Sequence, residues 1–211
     1  MTVTRVHLIR HGEVFNPEGV LYGRLPGYSL SDLGRAMAER VGEALASRDI
    51  RVLISSPLER ARETASPLAE RLGLAVQADE RVIEAANWFE GKSFGVGDGS
   101  LSRPAVWPRL VNPFRPSWGE PYIEIAARMR AAVADARVAA EGHEAAIVSH
   151  QLPVWTARRS YERRHLWHDP RARQCSLASV TTLLWEGDRL VQIEYSEPAA
   201  DLVPAKAGFG A

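Results

Sequence analysis

Cysteine is nearly absent from this chain of 211 residues. Cys175 stands alone, which excludes an intramolecular disulfide and any metal centre built from several cysteines of one chain. Lysine is almost as scarce: Lys92 and Lys206 are the two instances, so arginine carries the basic charge, a bias that a GC-rich genome accounts for at most positions. Neither sign of charge is in excess. The 26 Lys and Arg balance 26 Asp and Glu, which removes any bulk attraction to nucleic acid or an anionic membrane, so a site for an anion has to be local. Long hydrophobic runs are missing as well. None reaches transmembrane length, and Arg5, His7 and Arg10 interrupt the region where a signal core would sit, so the expectation is a soluble, cytoplasmic protein. What is present, 45% hydrophobic and 25% charged residues, suffices for a single well-buried domain and is short for two.

The chain is organised around its opening stretch, where the apolar run Val6-His7-Leu8-Ile9 ends abruptly in Arg10-His11-Gly12. An apolar run of this length reads as a buried strand, and in an open α/β sheet the carboxyl ends of the strands are where ligands bind. Residues 16–30 are rich in turn formers and predict a loop, Ser31 then reads as a helix N-cap, and apolar positions from Leu33 to Leu45 recur at helical spacing. Val52-Leu53-Ile54 reads as a second buried strand, opening through Ser55-Ser56-Pro57 into a helix from Pro57 to about Leu72 that stops at Gly73, with Leu74-Ala75-Val76 as a third strand. Alternation of strands and helices implies crossover connections and hence a mostly parallel sheet with helices on both faces. Residues 80–121 break this rhythm with clustered glycines and prolines and read as an irregular insertion or lid. A helix follows over Ile123 to Ala140, then a buried strand Ala145–Ser149 ending at His150, and finally a hairpin of 179–185 with 190–195. The tail after Ser196 reads as loose.

Two arginines and two histidines fall at strand ends or in the first turns of a helix: Arg10, His11, Arg60 and His150. All four can meet above one edge of a parallel sheet. Together with its flanking residues this pattern resembles the histidine phosphatase superfamily, which contains the cofactor-dependent phosphoglycerate mutases and many phosphomonoesterases. Four segments carry the resemblance, which spans roughly residues 4–195: Leu8-Ile9-Arg10-His11-Gly12-Glu13, Leu30-Ser31-Asp32-Leu33-Gly34, Ser55 to Ala65 around Arg60, and Val148-Ser149-His150. It implies a three-layer α/β/α sandwich of the phosphoglycerate mutase type. It also implies roles: His11 as the nucleophile that becomes phosphorylated, Arg10, Arg60 and His150 as phosphate ligands, Glu84 as the proton donor, and Asn16 assisting from the loop. Dimers are common in that family, so a homodimer stays open.

Such roles fit the chemistry. A transferred phosphoryl group needs positive donors around its equatorial oxygens, and the planar guanidinium makes paired bonds to them. A neutral imidazole can attack phosphorus, and a carboxylic acid must protonate the departing alkoxide. The expected activity is therefore a metal-independent phosphomonoesterase acting on a small phosphorylated metabolite, with no cofactor. A mutase that returns the phosphoryl group, and a regulator that binds phosphate without turnover, are the alternatives. The sequence departs from the family pattern at three points. The segment after Glu84 is one residue shorter than usual before Gly91, which leaves Glu80 and Glu90 as alternative acids. Gln151 follows His150 where glycine is usual, and Asn16 lies one position earlier than in mutases.

Other signals are bland. Gly91-Lys92-Ser93 lacks the earlier glycine of a nucleotide-binding loop, Ala86 standing in its place, and Gly95 to Gly99 lacks the final glycine of a dinucleotide fingerprint. His143-Glu144 has no histidine partner at Ile147, and His165 and His168 in an arginine-rich loop read as packing or surface groups rather than metal ligands.

Overall fold

The computed structural model of the protein describes residues 2–92 and 119–203. Most of the expected insertion, including the glycine cluster 95–99, Trp107, Phe114, Trp118, Arg103, Arg109 and Arg115, lies outside the described residues, as does the tail beyond Val203.

Six strands form one sheet: β1 (Val3–Arg10), β2 (Ile50–Ser55), β3 (Val76–Ala78), β4 (Glu144–Ser149), β5 (Val180–Glu186) and β6 (Arg189–Ser196), in the order β3-β2-β4-β1-β5-β6. The pairings among β3, β2, β4 and β1 are parallel, whereas β5 runs antiparallel to β1 and β6 antiparallel to β5. Among the described residues four helices cover the sheet: α1 (Asp32–Leu45), α2 (Glu59–Leu72), α3 (Tyr122–Ala139) and α4 (Gln151–Tyr161). Side chains alternate across a strand, and the central strands are apolar on both faces, so each face needs its own cover. Val6, Leu8, Ile54, Ala145 and Ile147 pack with Ile125, Met129 and Val133 of α3 and Val154 of α4. Ile9, Leu53, Ala146 and Val148 pack with Met37 and Val41 of α1 and Ala61, Ala65 and Leu68 of α2. The result is the expected three-layer α/β/α arrangement around a mixed, mostly parallel sheet.

Several boundaries differ from the sequence reading, each for a local reason. Helix α2 begins at Glu59 rather than Pro57, because Leu58 is extended (φ −69°, ψ 140°) and serves as the N-cap. Strand β3 starts at Val76 rather than Leu74. Gly73 closes α2 in the left-handed conformation (φ 65°), and the Leu74 amide returns to the Ala69 carbonyl at 3.0 Å, so Leu74 belongs to the helix stop. The Ser31 cap holds as read, its hydroxyl accepting from the Gly34 amide at 2.9 Å. Helix α4 was not anticipated, because Pro153 in its first turn masks a helical pattern; proline is tolerated there, where no carbonyl partner is lost. Past Ser196, a stretch read as loose, the chain makes a 3-10 turn over Ala200–Leu202 and buries Ala199 against the α1/α2 side of the sheet.

Candidate active site

Strand order determines where the site forms. Because β4 lies between β1 and β2, the carboxyl ends of three strands stand side by side: Arg10 is in register with Ser149, and Ser55 with Val148. The hydrogen bonds continue one residue beyond each end, with the His11 amide on the Ser149 carbonyl at 3.1 Å and the Ser56 amide on the Val148 carbonyl at 2.9 Å. His11 and His150, separated by most of the chain, therefore meet. Their ring centroids are 5.1 Å apart and inclined by 60°. His11, His150 and Arg60 are all 0% exposed, and Arg10 is 4% exposed.

Each imidazole is oriented by one nitrogen. Nδ1 of His11 lies 2.7 Å from the Gly12 carbonyl, which can only accept, so Nδ1 carries the proton and Nε2 keeps its lone pair. Burial, followed by the charges of Arg60 and Arg10, holds the His11 pKa well below 6.5, and the neutral ring prevails near pH 7. Nε2 of His150 sits 2.8 Å from the Ser56 hydroxyl. That hydroxyl accepts from the Leu58 amide at 3.4 Å; when it donates its own proton to Nε2, the ring proton of His150 stands on Nδ1. Burial, His11 and Arg60 hold this pKa down as well.

Arg10 and Arg60 are each anchored by one arm. NH1 of Arg10 donates to the Cys175 carbonyl at 2.7 Å, and NH2 of Arg60 donates to the Gly23 carbonyl at 2.5 Å, with Tyr22 stacked 4.7 Å from the Arg60 guanidinium. Nε of Arg10, Nε and NH1 of Arg60, Nε2 of His11 and Nδ1 of His150 are buried without a hydrogen-bond partner among the described residues. Unpartnered buried donors are costly and rare. The unpartnered guanidinium donors and ring nitrogens form a single cluster that can cradle an anion beside the Nε2 lone pair of His11. Neither α2 nor α4 has a side-chain cap, so the positive N-termini of both helices are open beside Arg60 and His150.

The turn after β1 is braced by residues the sequence reading had not singled out. Thr64 of α2 accepts from the Gly12 amide at 3.1 Å and donates to the Arg60 carbonyl at 2.7 Å, tying the His11 turn to the Arg60 helix. A Cβ on Gly12 would stand 2.5 Å from the Gly34 carbonyl oxygen, and one on Gly34 would strike the Glu13 carbonyl, so α1 starts against this turn only because both are glycine. The Glu13 carboxylate accepts from the Ser31 hydroxyl and fixes the loop.

Of the three candidate acids, Glu84 is buried, Glu90 is half-buried with one oxygen accepting from the Asn87 amide at 3.1 Å, and Glu80 is exposed. Burial raises the Glu84 pKa, opposed by the Ala85 amide and then by the charges of Arg60, Arg173 and Arg10. Glu84 thus sits within the field of the arginine cluster. Asn16 is placed differently: its amide donates to the Val20 carbonyl at 2.8 Å and its oxygen accepts from the Val20 amide at 3.2 Å, so both ends close its own loop. His168 likewise uses both ring nitrogens, on the Leu166 carbonyl and on Arg173. Among the described residues no group of three or more His, Cys, Asp or Glu side chains is arranged to hold a metal ion, and no helix is long and apolar enough to cross a membrane.

A buried histidine pair flanked by arginines at the carboxyl edge of a parallel sheet defines a phosphate-handling α/β protein. Residues 6–197 match the histidine phosphatase superfamily (branch 1), and the chain belongs to that superfamily. It is 60% identical over 197 residues to the uncharacterized protein Rv0525 of Mycobacterium tuberculosis, covering 93% of this chain and 98% of that one. Glucosyl-3-phosphoglycerate phosphatase of Mycobacterium tuberculosis is 34% identical over 138 residues, covering 64% of this chain and 61% of its own. The native structure of the mycobacterial glucosyl-3-phosphoglycerate phosphatase Rv2419c superposes with a TM-score of 0.73 at 26% identity, over 92% of this chain and 98% of that one. A phosphoglycerate mutase of Bacillus anthracis, 18% identical, shares the fold with a TM-score of 0.71, over 95% and 96% of the two chains. Membership of the superfamily and likeness to these phosphatases support phosphatase activity at the level of class.

Proposed function

We propose that the protein is a metal-independent phosphomonoesterase that hydrolyses a small phosphorylated metabolite through a phosphohistidine on Nε2 of His11. The observation that carries this reading is the buried, neutral His11, its Nδ1 proton bound to the Gly12 carbonyl and its Nε2 lone pair unpartnered among Arg10, Arg60 and His150. In the first step Nε2 bonds to phosphorus as the ester P–O bond breaks. The departing alkoxide takes the proton of Glu84, whose raised pKa keeps that proton available. In the second step the Glu84 carboxylate takes a proton from water, the water oxygen bonds to phosphorus, and the P–N bond breaks, releasing inorganic phosphate and neutral His11. Arg10, Arg60 and the Nδ1 proton of His150 stabilise the charge on the equatorial oxygens throughout.

The test is release of phosphate from a generic aryl phosphate, with and without a chelator. Wild-type protein is expected to turn over under both conditions, and His11→Ala is expected to lose about a thousandfold or more in kcat. Equal release by wild type and variant would remove the proposed nucleophile. Turnover that requires a bisphosphorylated primer would indicate a mutase instead.

A further inference from the structure

A third guanidinium stands beside the anion cradle without belonging to it. Arg173, in the segment between α4 and β5, donates from Nε to Nε2 of His168 at 2.9 Å and from NH1 to Oε1 of Gln151 at 3.2 Å. The other end of Gln151 donates to the Cys175 carbonyl at 3.4 Å, the same oxygen that takes NH1 of Arg10 at 2.7 Å. Arg173 is therefore hung one side chain away from the phosphate-facing Arg10. Both of its hydrogen-bond partners are neutral. His168 donates from Nδ1 to the Leu166 carbonyl at 2.7 Å, and burial lowers its pKa to about 4, so its Nε2 acts as an acceptor across the physiological range. Neighbouring arginines are balanced differently: Arg24 and Arg128 both pair with the carboxylate of Glu120, at 2.9 and 2.7 Å. Among the described residues Arg173 has no such ion pair. Burial lowers its pKa, opposed by Tyr122 and then by Glu84, the one carboxyl group that acts on it and one the proposed chemistry needs protonated.

A partly desolvated guanidinium held by two neutral acceptors is unbalanced until an anion arrives, and its bonds to that anion would be charge-assisted. Its position identifies which part of a substrate that anion belongs to. The transferred group is surrounded by Arg10, Arg60, His11 and His150, whereas Glu84 must face the leaving oxygen. Arg173 lies outside that ring, linked to Arg10 through Gln151 and the Cys175 carbonyl, and a cation beside the ring meets the alcohol half of the ester. We infer that Arg173, positioned by Gln151 and His168, is a specificity-determining residue that receives a second anionic group, a carboxylate or a second phosphate, on the leaving-alcohol half of the substrate. This rests on the phosphomonoesterase reading above and narrows its substrate class. It also gives Gln151, which replaces a glycine usual in the resembled family, a purpose: its amide spans the gap between the Arg10 anchor and Arg173.

The experiment compares kcat/KM of wild type on three alkyl phosphates: 3-phosphoglycerate, with a carboxylate; propane-1,3-diol bisphosphate, with a second phosphate; and glycerol 3-phosphate, with neither. Wild type is expected to prefer one or both of the doubly anionic esters over glycerol 3-phosphate by about tenfold or more, and whichever is preferred names the anion. Arg173→Gln is expected to abolish that preference through KM while leaving glycerol 3-phosphate and the aryl phosphate within about twofold, with Arg173→Lys restoring part of it. Absence of a preference in wild type overturns the inference, whatever the variants do. So does an equal loss on all substrates with a moved pH profile, which would make Arg173 a tuner of Glu84. Activity on the aryl phosphate that depends on His11 would survive either result, which separates failure of this inference from failure of the phosphatase reading.

Discussion

His11 and Glu84 illustrate how burial shifts an imidazole and a carboxyl in opposite directions within one pocket. Burial disfavours charge, so it pushes the imidazole pKa down and the carboxyl pKa up, the directions that the proposed nucleophile and proton donor need. The arginines reinforce the first shift and oppose the second. Activity on an alkyl phosphate is accordingly expected to decline on the alkaline side as Glu84 loses its proton, with that limb above the ordinary carboxylate range. In Glu84→Gln the limb is expected to disappear and kcat on an alkyl phosphate to fall by about 10²–10⁴-fold, while an aryl phosphate, whose leaving group needs little protonation, falls much less. A pH–rate profile on the two substrates checks this; equal losses on both would remove Glu84 from the proton-donor position. At this scale the sequence reading located Arg10, His11, Arg60 and His150 because each ends a strand or opens a helix. It did not locate Thr64, Tyr22 or Arg173, since nothing in a stretch of sequence shows which hydroxyl or guanidinium will face a turn formed far away.

The turn after β1 and the first turns of α2 work as one unit, and Thr64 is the hinge pin. Its hydroxyl is the acceptor for the buried Gly12 amide and at the same time a donor to the Arg60 carbonyl. Thr64→Val keeps shape and volume but leaves the Gly12 amide without an acceptor, which is expected to cost about 1–3 kcal/mol of stability. Thr64→Ser should recover most of the loss, and a denaturant midpoint for each variant is the measurement. An unchanged midpoint in the valine variant would mean that the amide finds another partner. Element boundaries were legible where capping chemistry is local, as at Ser31 and Gly73. They were not where one element consumes the first residues of the next, as the α2 stop does with Leu74, or where an early proline hides a helix, as in α4.

Across the whole molecule, burying two uncharged histidines links stability to pH. The folded-state pKa values of His11 and His150 lie below the ordinary 6.5, so between 6.5 and those lowered values the unfolded chain binds more protons than the folded one. Their contribution is therefore fully present above pH 6.5 and is lost as pH falls through that window. Glu84 has the opposite sign, its raised pKa giving stability that is lost as pH rises above 4.5 through its folded value. With these two histidines and His168, whose pKa burial lowers to about 4, set against one acid, Tm of the ligand-free protein is expected to fall on acidification from pH 6.5. His150→Gln should show a shallower fall over the same range by calorimetry. A slope unchanged in the variant would place the pH dependence elsewhere, for instance at His168.

By itself the sequence determined which segments are the buried central strands, that α1 starts at the Ser31 cap and α2 stops at Gly73, and which cations stand at strand ends, because hydrophobic periodicity, capping and chain punctuation are local and leave their mark within a few residues. Only the tertiary structure decided that β4 enters the sheet between β1 and β2, and that placement brings His150 within 5.1 Å of His11 and lines up three strand ends to share one anion cradle. Strand order arises from packing and crossover connections that span most of the chain, and no local pattern encodes it.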